Sequence, residues 1–196
     1  MMQLIALKCP TCGQNLKPQS NEAVVVSCGG CKTAVSLHQS GLKAINVQYA
    51  ASSSNKVEAW LPLWVFTGKV NIKRRESQGG SKGADKDAAK LWSSVQRLFV
   101  PAWQEPVQQA RAIGSQFVVR QPAFKMSEPT DDMLMTEATV TPEDGLKLLD
   151  FIVLSLEADR KDWLEDLQFE IQTTGHELWA IPARRKGSSW EFLVGK

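Results

Sequence analysis

Apolar and polar residues alternate between positions 64 and 73, which is the pattern of a β-strand with one buried face. The apolar side carries Trp64, Phe66, Gly68, Val70 and Ile72, and the other side carries Val65, Thr67, Lys69, Asn71 and Lys73. We therefore predict a long, half-buried strand here, with a basic face toward solvent.

After Thr141 the apolar residues recur every three or four positions, which is the spacing of an amphipathic helix. Thr141 is a good N-cap, Pro142 suits the first helical turn, and an apolar stripe runs from Leu146 to Leu156. The same spacing predicts a helix over 105–119, and a second helical segment is predicted over 158–167 after the first.

The remaining patterns predict shorter elements. We expect a helix over 87–98, a short strand over 97–103, and a C-terminal hairpin pattern of alternating segments at 169–172, 177–181 and 190–194. Helices and strands that do not alternate regularly indicate an α+β fold with antiparallel strands.

The chain contains four cysteines, and all of them lie in two CxxC pairs near the start. Cys9 and Cys12 form the first pair, and Cys28 and Cys31 form the second, with fifteen residues between the pairs. This spacing is typical of a four-cysteine zinc site. We predict that Gly13, Gly29 and Gly30 provide the positive φ angles that the tight turns need.

Other chemistries of four cysteines remain open at this stage. Two disulfides need an oxidising compartment, a thioredoxin-like pair needs one CxxC at the start of a helix, and four thiolates also hold iron–sulfur centres. Zinc fits best. Because cysteine fills all four ligand positions, the predicted Zn²⁺ is structural, with no open position for a substrate.

Two short strands are expected around the second pair, at 22–27 and 32–38. We predict a zinc ribbon over 1–48, a small polar linker over 50–55, and an α+β body domain over 56–196. A module of this size has too little core to fold alone, so metal binding would supply the missing free energy.

Composition excludes several classes of protein. The 196 residues are 43% apolar and 22% charged, as in globular proteins. No apolar run is long enough for a membrane span, and the N-terminus lacks the basic start of a signal peptide. We therefore expect a cytoplasmic protein without a membrane span.

Charge is unevenly distributed, although the net charge is only +2. Residues 1–126 carry a net charge of +10 and residues 127–196 carry −8. One interpretation is an anionic partner such as nucleic acid for the basic part. The other is that the two regions pack together and neutralise each other.

Two proline- and tryptophan-containing segments, Leu61-Pro62-Leu63-Trp64 and Val100-Pro101-Ala102-Trp103, follow the cysteine motifs Cys9-Pro-Thr-Cys12-Gly13 and Cys28-Gly-Gly-Cys31. With this combination the chain resembles an uncharacterised family of bacterial zinc-ribbon proteins. The resemblance implies an N-terminal ribbon on an α+β body and carries over no active site.

No catalytic motif accompanies these features. The two histidines, His38 and His176, are far apart in sequence, and no dinucleotide fingerprint, HExxH or EF-hand loop is present. We expect a non-enzymatic interaction or scaffold subunit that acts through a protein partner, with nucleic-acid binding by the basic part as the alternative.

Overall fold

The computed structural model describes residues 6–38, 41–79, 82–128 and 133–195. In chain order the elements are β1 (Val25–Ser27), β2 (Ala34–His38), β3 (Gly41–Ile45), β4 (Val47–Ala50), β5 (Ala59–Gln78), α1 (Lys82–Leu91), β6 (Gln96–Pro101), α2 (Val107–Arg120), β7 (Met126–Ser127), α3 (Pro142–Ala158), β8 (Trp163–Lys186) and β9 (Ser189–Phe192). The predicted α+β class is confirmed.

The strands form two sheets. The cysteine-bearing part of the chain holds the antiparallel sheet β1-β2-β3, and the rest holds a six-stranded sheet whose main order is β6-β5-β8-β4-β7, with β9 also paired to β8. The β4–β8 pair is parallel, and the other pairs of named strands are antiparallel. The chain thus passes from the small sheet to the large one between Ile45 and Val47.

The centre of the large sheet is the long pair β5–β8. The first eight residues of β5, 59–66, are buried on both faces, and the predicted alternation begins only after Phe66. The partner segment of β8, from Leu178 to Ala183, is equally buried. Continuous burial of this kind hides a period-two pattern from the sequence.

Among the described residues, α2 packs on β6 and α3 packs on β6 and β8, and both helices occupy the predicted places. The Thr141 side chain accepts a hydrogen bond from the Asp144 amide and begins α3, and α2 matches the helix predicted over 105–119. Gly145 brings α3 close to the rings of Trp64 and Phe66. The indole of Trp64 also donates to the Val140 carbonyl at 2.8 Å, just before α3 begins.

Two of the shorter predictions are wrong. The segment 158–167 is not a second helix, because α3 ends at Ala158 and β8 begins at Trp163. The helix predicted over 87–98 is displaced toward the N-terminus as α1, and β6 already begins at Gln96. In both places the end of the segment pairs with β5 and becomes a strand. Such pairing with a distant strand overrides the local helical propensity on which the prediction was based.

The C-terminal hairpin prediction is correct only at its end. The segments 169–172 and 177–181 belong to one 24-residue strand, β8, rather than to two strands. The turn lies at Gly187, which has a φ of 62°, and it connects β8 to β9.

A β-bulge changes the direction of the basic side chains at the far end of β5. Ile72 pairs with Phe169, and Arg74 pairs with the next residue, Gln168, so Lys73 is the extra residue. After such an insertion the alternation shifts by one position. Arg75 therefore lies on the same face as Ile72, and its side chain is only 7% exposed.

Arg75 joins a buried ion-pair cluster between β5, α3 and the start of β8. Its guanidinium donates to both carboxylate oxygens of Asp162, at 2.6 and 2.8 Å, and to Glu157 at 2.8 Å. Glu157 also accepts from Arg160 and from the Trp92 indole. Every oxygen of the fully buried Glu157 thus has a partner, which a buried charge requires.

Candidate metal centre

Each CxxC pair sits in a turn closed by the same two backbone hydrogen bonds. The Cys9 amide donates to the Gln14 carbonyl at 2.8 Å, and the Gly13 amide donates back to the Cys9 carbonyl at 2.9 Å. At the second turn the Cys28 amide donates to the Thr33 carbonyl at 2.9 Å, and the Lys32 amide donates back to the Cys28 carbonyl at 2.8 Å. The two pairs are therefore matching knuckles.

The predicted roles of the glycines are correct only in part. Gly13 has a φ of 76°, as expected, but the corresponding position of the second knuckle is Lys32, with a φ of 62°. Gly29 and Gly30 are not among the positive-φ residues. At Gly30 a Cβ would lie 1.9 Å from the end of the Gln14 side chain, which is exposed and can move aside.

The knuckles bring all four cysteine sulfurs to one point. The Sγ atoms of Cys9, Cys12, Cys28 and Cys31 lie within 4.8 Å of one another. The closest pairs, Cys9–Cys31 and Cys12–Cys28, are both 3.6 Å apart, far beyond the ~2.05 Å of a disulfide. The four cysteines are thus free thiols positioned to hold a metal ion.

The protein environment favours ionisation of one sulfur over another. Hydrogen bonds from the side chain and the backbone of Thr33 lower the pKa of the Cys31 thiol to about 6. At Cys12 the Gln14 backbone acts in the same direction, but hydrogen bonding with the Cys31 sulfur, burial and the other sulfurs outweigh it and raise the pKa to about 12. Crowded thiols of this kind do not ionise together without a cation.

Alternate residues of the small sheet face two different cores. Val26 and Val35 pack with Leu16 and the buried Cys9 and Cys28 in a core of their own. Val25 and Ala34, their chain neighbours, point the other way into the main core of the protein. The sheet that carries the sulfurs therefore also covers part of the body.

A short segment of the body, residues 135–138, ties the two parts together, and we call it the strap. Ala138 exchanges backbone hydrogen bonds with Val24 and Val25 on one side, and Thr136 bonds to the Trp60 carbonyl on the other. The Glu137 carboxylate accepts from the amides of Gln19 and Ser20. No sequence signal indicated the strap, because its pairing is entirely non-local.

The two histidines line one cleft, although they are far apart in the sequence and belong to no shared motif. A cavity of about 450 Å³ lies between the ribbon and the body, with His38 on one wall and His176 on the other. The His176 ring packs edge-on against Trp64 at 5.4 Å. These rings do not join a metal-ligand group, since the cysteine cluster is the candidate group found among the described residues.

The basic strand is paired with the acidic third of the chain. Lys73 contacts Glu170 at 3.0 Å, Arg74 contacts Asp166 at 3.2 Å, and Arg75 is buried against Asp162. The expected local neutralisation is therefore confirmed at these residues. Because of the bulge, the four cations at 69 and 73–75 do not form one continuous basic face.

Comparisons of the chain with protein-family models, with curated proteins and with solved structures found no match. Within the described residues, none of the helices has the length and apolar character needed to cross a membrane.

Proposed function

We propose that the chain is a non-enzymatic interaction or scaffold subunit whose N-terminal ribbon is held by a structural Zn²⁺ on Cys9, Cys12, Cys28 and Cys31. The observation that carries this proposal is the four-sulfur cluster built by two matching knuckles. Four protein ligands close the coordination sphere, so the ion stabilises structure and takes no substrate.

Zinc is supported by the donor set and by its spacing. A tetrahedral ion with Zn–S bonds of about 2.3 Å places its sulfurs about 3.8 Å apart. The two closest sulfur pairs, at 3.6 Å, are near this value, and the whole group stays within 4.8 Å. A small ribbon core of Leu16, Val26 and Val35 needs the additional stabilisation that a metal gives.

An interaction role is supported by large apolar side chains at the surface. Trp163 is 76% exposed, Val107 52%, Phe151 50% and Leu154 44%. Single exposed apolar residues are ordinary, but tryptophan and phenylalanine are enriched at the centres of protein interfaces. Val107 and Phe151 lie on two helices that pack together, α2 and α3.

Elemental analysis tests the metal. Protein purified without added metal should contain about one zinc per chain, and Cys12→Ser should lose it, while the matched control Thr11→Ser in the same knuckle should keep it. Iron in place of zinc, or retention of zinc by Cys12→Ser, would reject the proposed site.

Cross-linking in the native host tests the interaction role. A tagged chain should recover one defined polypeptide in constant ratio, and the exposed-surface variant Phe151→Ser should reduce its yield more than Val95→Ser, an isolated exposed residue. Recovery of the chain alone at native concentration would contradict the proposal.

Nucleic-acid binding is the alternative, and the ion pairs of Lys73 and Arg74 count against it. Fluorescence anisotropy with duplex DNA and single-stranded RNA at ~0.15 M salt should show no binding. Binding that is lost when Lys69, Lys73 and Arg74 are replaced by Ser, with the log–log salt dependence of phosphate contacts, would favour the alternative instead.

A further inference from the structure

A cavity of about 470 Å³ lies between the last turns of α2 and the segment that follows β9, and we call it the α2–β9 cavity. Four apolar residues and two polar ones form most of its lining: Phe117, Pro122, Phe192, Val194, Gln116 and Arg120. Ligand-binding cavities in proteins have volumes of about 300–1,000 Å³ and combine mostly apolar walls with a few polar groups. The size and lining of the α2–β9 cavity are therefore those of a site for a small molecule.

Hydrogen bonds hold both walls of the α2–β9 cavity in place. On one side, the Leu193 amide donates to the Pro182 carbonyl at 2.8 Å, and the Leu193 carbonyl accepts from the Ser53 amide at 2.7 Å. On the other side, the Gln121 side chain donates to the Arg97 carbonyl at 2.7 Å and accepts from the Arg97 amide at 3.2 Å. The cavity is thus formed without a ligand, which lowers the entropic cost of binding one.

Aromatic rings form the inner wall of the cavity. Phe117 is only 3% exposed, and its ring meets the half-buried ring of Phe192 edge-on at 4.9 Å. Phe124 packs against the same Phe117 ring at 6.1 Å, and all three rings belong to the main core or pack on it. This wall offers apolar surface and no hydrogen-bonding group, so the inner part of the cavity suits a hydrocarbon.

The outer wall carries a positive charge, because the Arg120 side chain lines the cavity and is exposed. The arginine ion pairs found among the described residues are those of Arg74, Arg75, Arg160 and Arg184. Within that part of the chain no carboxylate neutralises Arg120. A guanidinium binds a carboxylate through two parallel, charge-assisted hydrogen bonds, so the outer part of the cavity suits an acid.

The end of α2 is capped without the Arg120 side chain. The backbone amide of Gln121 donates to the Phe117 carbonyl at 2.8 Å, and the side-chain amide of Gln121 donates to the Val118 carbonyl at 2.9 Å. These bonds satisfy two of the carbonyls that a helix end leaves without a partner. The Arg120 guanidinium is therefore available to a group from outside.

We propose that the α2–β9 cavity binds a small apolar monocarboxylate, whose hydrocarbon part packs on Phe117 and Phe192 and whose carboxylate pairs with Arg120. An aromatic inner wall and a cation at the outer wall together select this class of ligand. The histidine cleft is less suited to an acid, because Glu143 and Glu177 are part of its lining. This inference goes beyond the proposed interaction function and does not depend on it.

Two acids distinguish the sources of such a ligand, octanoate for fatty acids and phenylbutanoate for aromatic acids. Each is titrated into the full-length, metal-loaded protein and followed by NMR and calorimetry. At least one should bind with a Kd between about 10 μM and 1 mM. It should bind about tenfold more tightly than the matching alcohol, octanol or phenylbutanol, which keeps the hydrocarbon and lacks the charge.

Two pairs of variants locate the binding. Arg120→Gln should lower the affinity for the acid to that for the alcohol and leave the alcohol unaffected, which loss of folding cannot mimic. Arg74→Gln, an exposed arginine outside the cavity, should keep the difference. Val194→Trp should fill the cavity and weaken the acid and the alcohol alike, whereas Val95→Trp, at a position 59% exposed and outside the lining, should not. Thermal unfolding confirms that each variant is folded.

Three results would overturn the proposed site. These are no saturable binding of either acid, equal affinities for acid and alcohol, and an affinity for the acid that Arg120→Gln or Val194→Trp leaves unchanged. Such a failure stays distinguishable from failure of the proposed function, since zinc content and recovery of a native polypeptide are measured without these ligands.

Discussion

The side chains of Arg74 and Arg75 are neighbours in sequence but stand in opposite environments. Arg74 is 51% exposed and pairs with Glu76 and Asp166 near solvent. Arg75 is 7% exposed and pairs with the fully buried side chains of Glu157 and Asp162, as well as with the exposed Asp85. Exposed ion pairs contribute little to stability, whereas removing one member of a buried pair leaves the other charge uncompensated.

Replacing Arg75 by Gln should therefore lower the free energy of unfolding by about 3 kcal/mol or more. The matched variant Arg74→Gln should change it by less than about 1 kcal/mol. Urea unfolding followed by tryptophan fluorescence measures both values. Equal effects of the two substitutions would show that the Arg75 cluster does not stabilise the fold.

The same cluster should make stability depend on pH in acid. The Arg75 guanidinium hydrogen-bonds to Asp162 and lowers the pKa of that carboxyl from 3.8 to about 2. Because the folded-state pKa is the lower one, the ionised carboxyl stabilises the protein fully above about pH 4, and this stabilisation is lost as the pH falls through about 2.

Asp162→Asn should accordingly reduce the acid dependence of stability between about pH 4 and pH 2. Urea unfolding at several pH values, compared with the exposed control Asp150→Asn, measures the difference. Protonation of the cysteines in acid also releases the metal, but this affects the wild type, Asp162→Asn and Asp150→Asn equally and leaves the comparison valid. An unchanged pH profile for Asp162→Asn would contradict the assignment.

At the scale of secondary-structure elements, the close approach of α2 to its neighbours depends on one glycine. A Cβ at Gly114 would meet Ile152 Cδ1 at 2.3 Å and the Phe99 carbonyl oxygen at 2.8 Å. The Ile152 methyl can move, but the β6 backbone cannot move easily. Glycine is therefore required where α2, α3 and β6 meet.

Gly114→Ala should destabilise the protein by about 1–3 kcal/mol, although alanine favours helix. Gly175→Ala in β8 is the matched control, because nothing lies within 4 Å of a Cβ there. Thermal unfolding of both variants decides the question. A Gly114→Ala protein more stable than the wild type would show that α2 can shift outward without loss.

Elements defined by local signals were predicted, and elements defined by distant partners were not. The N-cap at Thr141 and the CxxC spacing are local, and both α3 and the sulfur cluster form as expected. The segment 158–167 has a helical pattern, but its last residues pair with β5 and become strand. The bulge at Lys73 likewise depends on the partner strand, and the alternation predicted over 64–73 contained no sign of it.

At the scale of the whole molecule, the ribbon has a small core of its own and also contributes side chains to the main core. Leu16, Val26 and Val35 belong to the ribbon core, while Val25 packs into the body. The strap supplies the hydrogen bonds between the two parts. The domain boundaries at 48 and 56 remain a prediction, which metal removal can test.

Chelation of the metal should unfold the ribbon and loosen the strap while the body stays folded. Hydrogen exchange should become faster in β1–β3 and at 135–138 and stay slow in the β5–β8 pair, because β5 and β8 retain their own core. Added Zn²⁺ should restore protection. If β5 and β8 exchange as fast as β1, the chain is one cooperative unit and the predicted boundary is wrong.

The position of the strap in the sequence means that the ribbon is synthesised well before the segment to which it binds. Gln19 and Ser20 find their partner, Glu137, 118 and 117 positions later in the chain. At a synthesis rate of about 5–20 residues per second, the ribbon leaves the ribosome on the order of ten seconds before the strap exists. During that interval the face of β1 and β2 that later covers the body is bare. Early capture of a metal by the two knuckles would keep the nascent ribbon folded until its docking surface is synthesised.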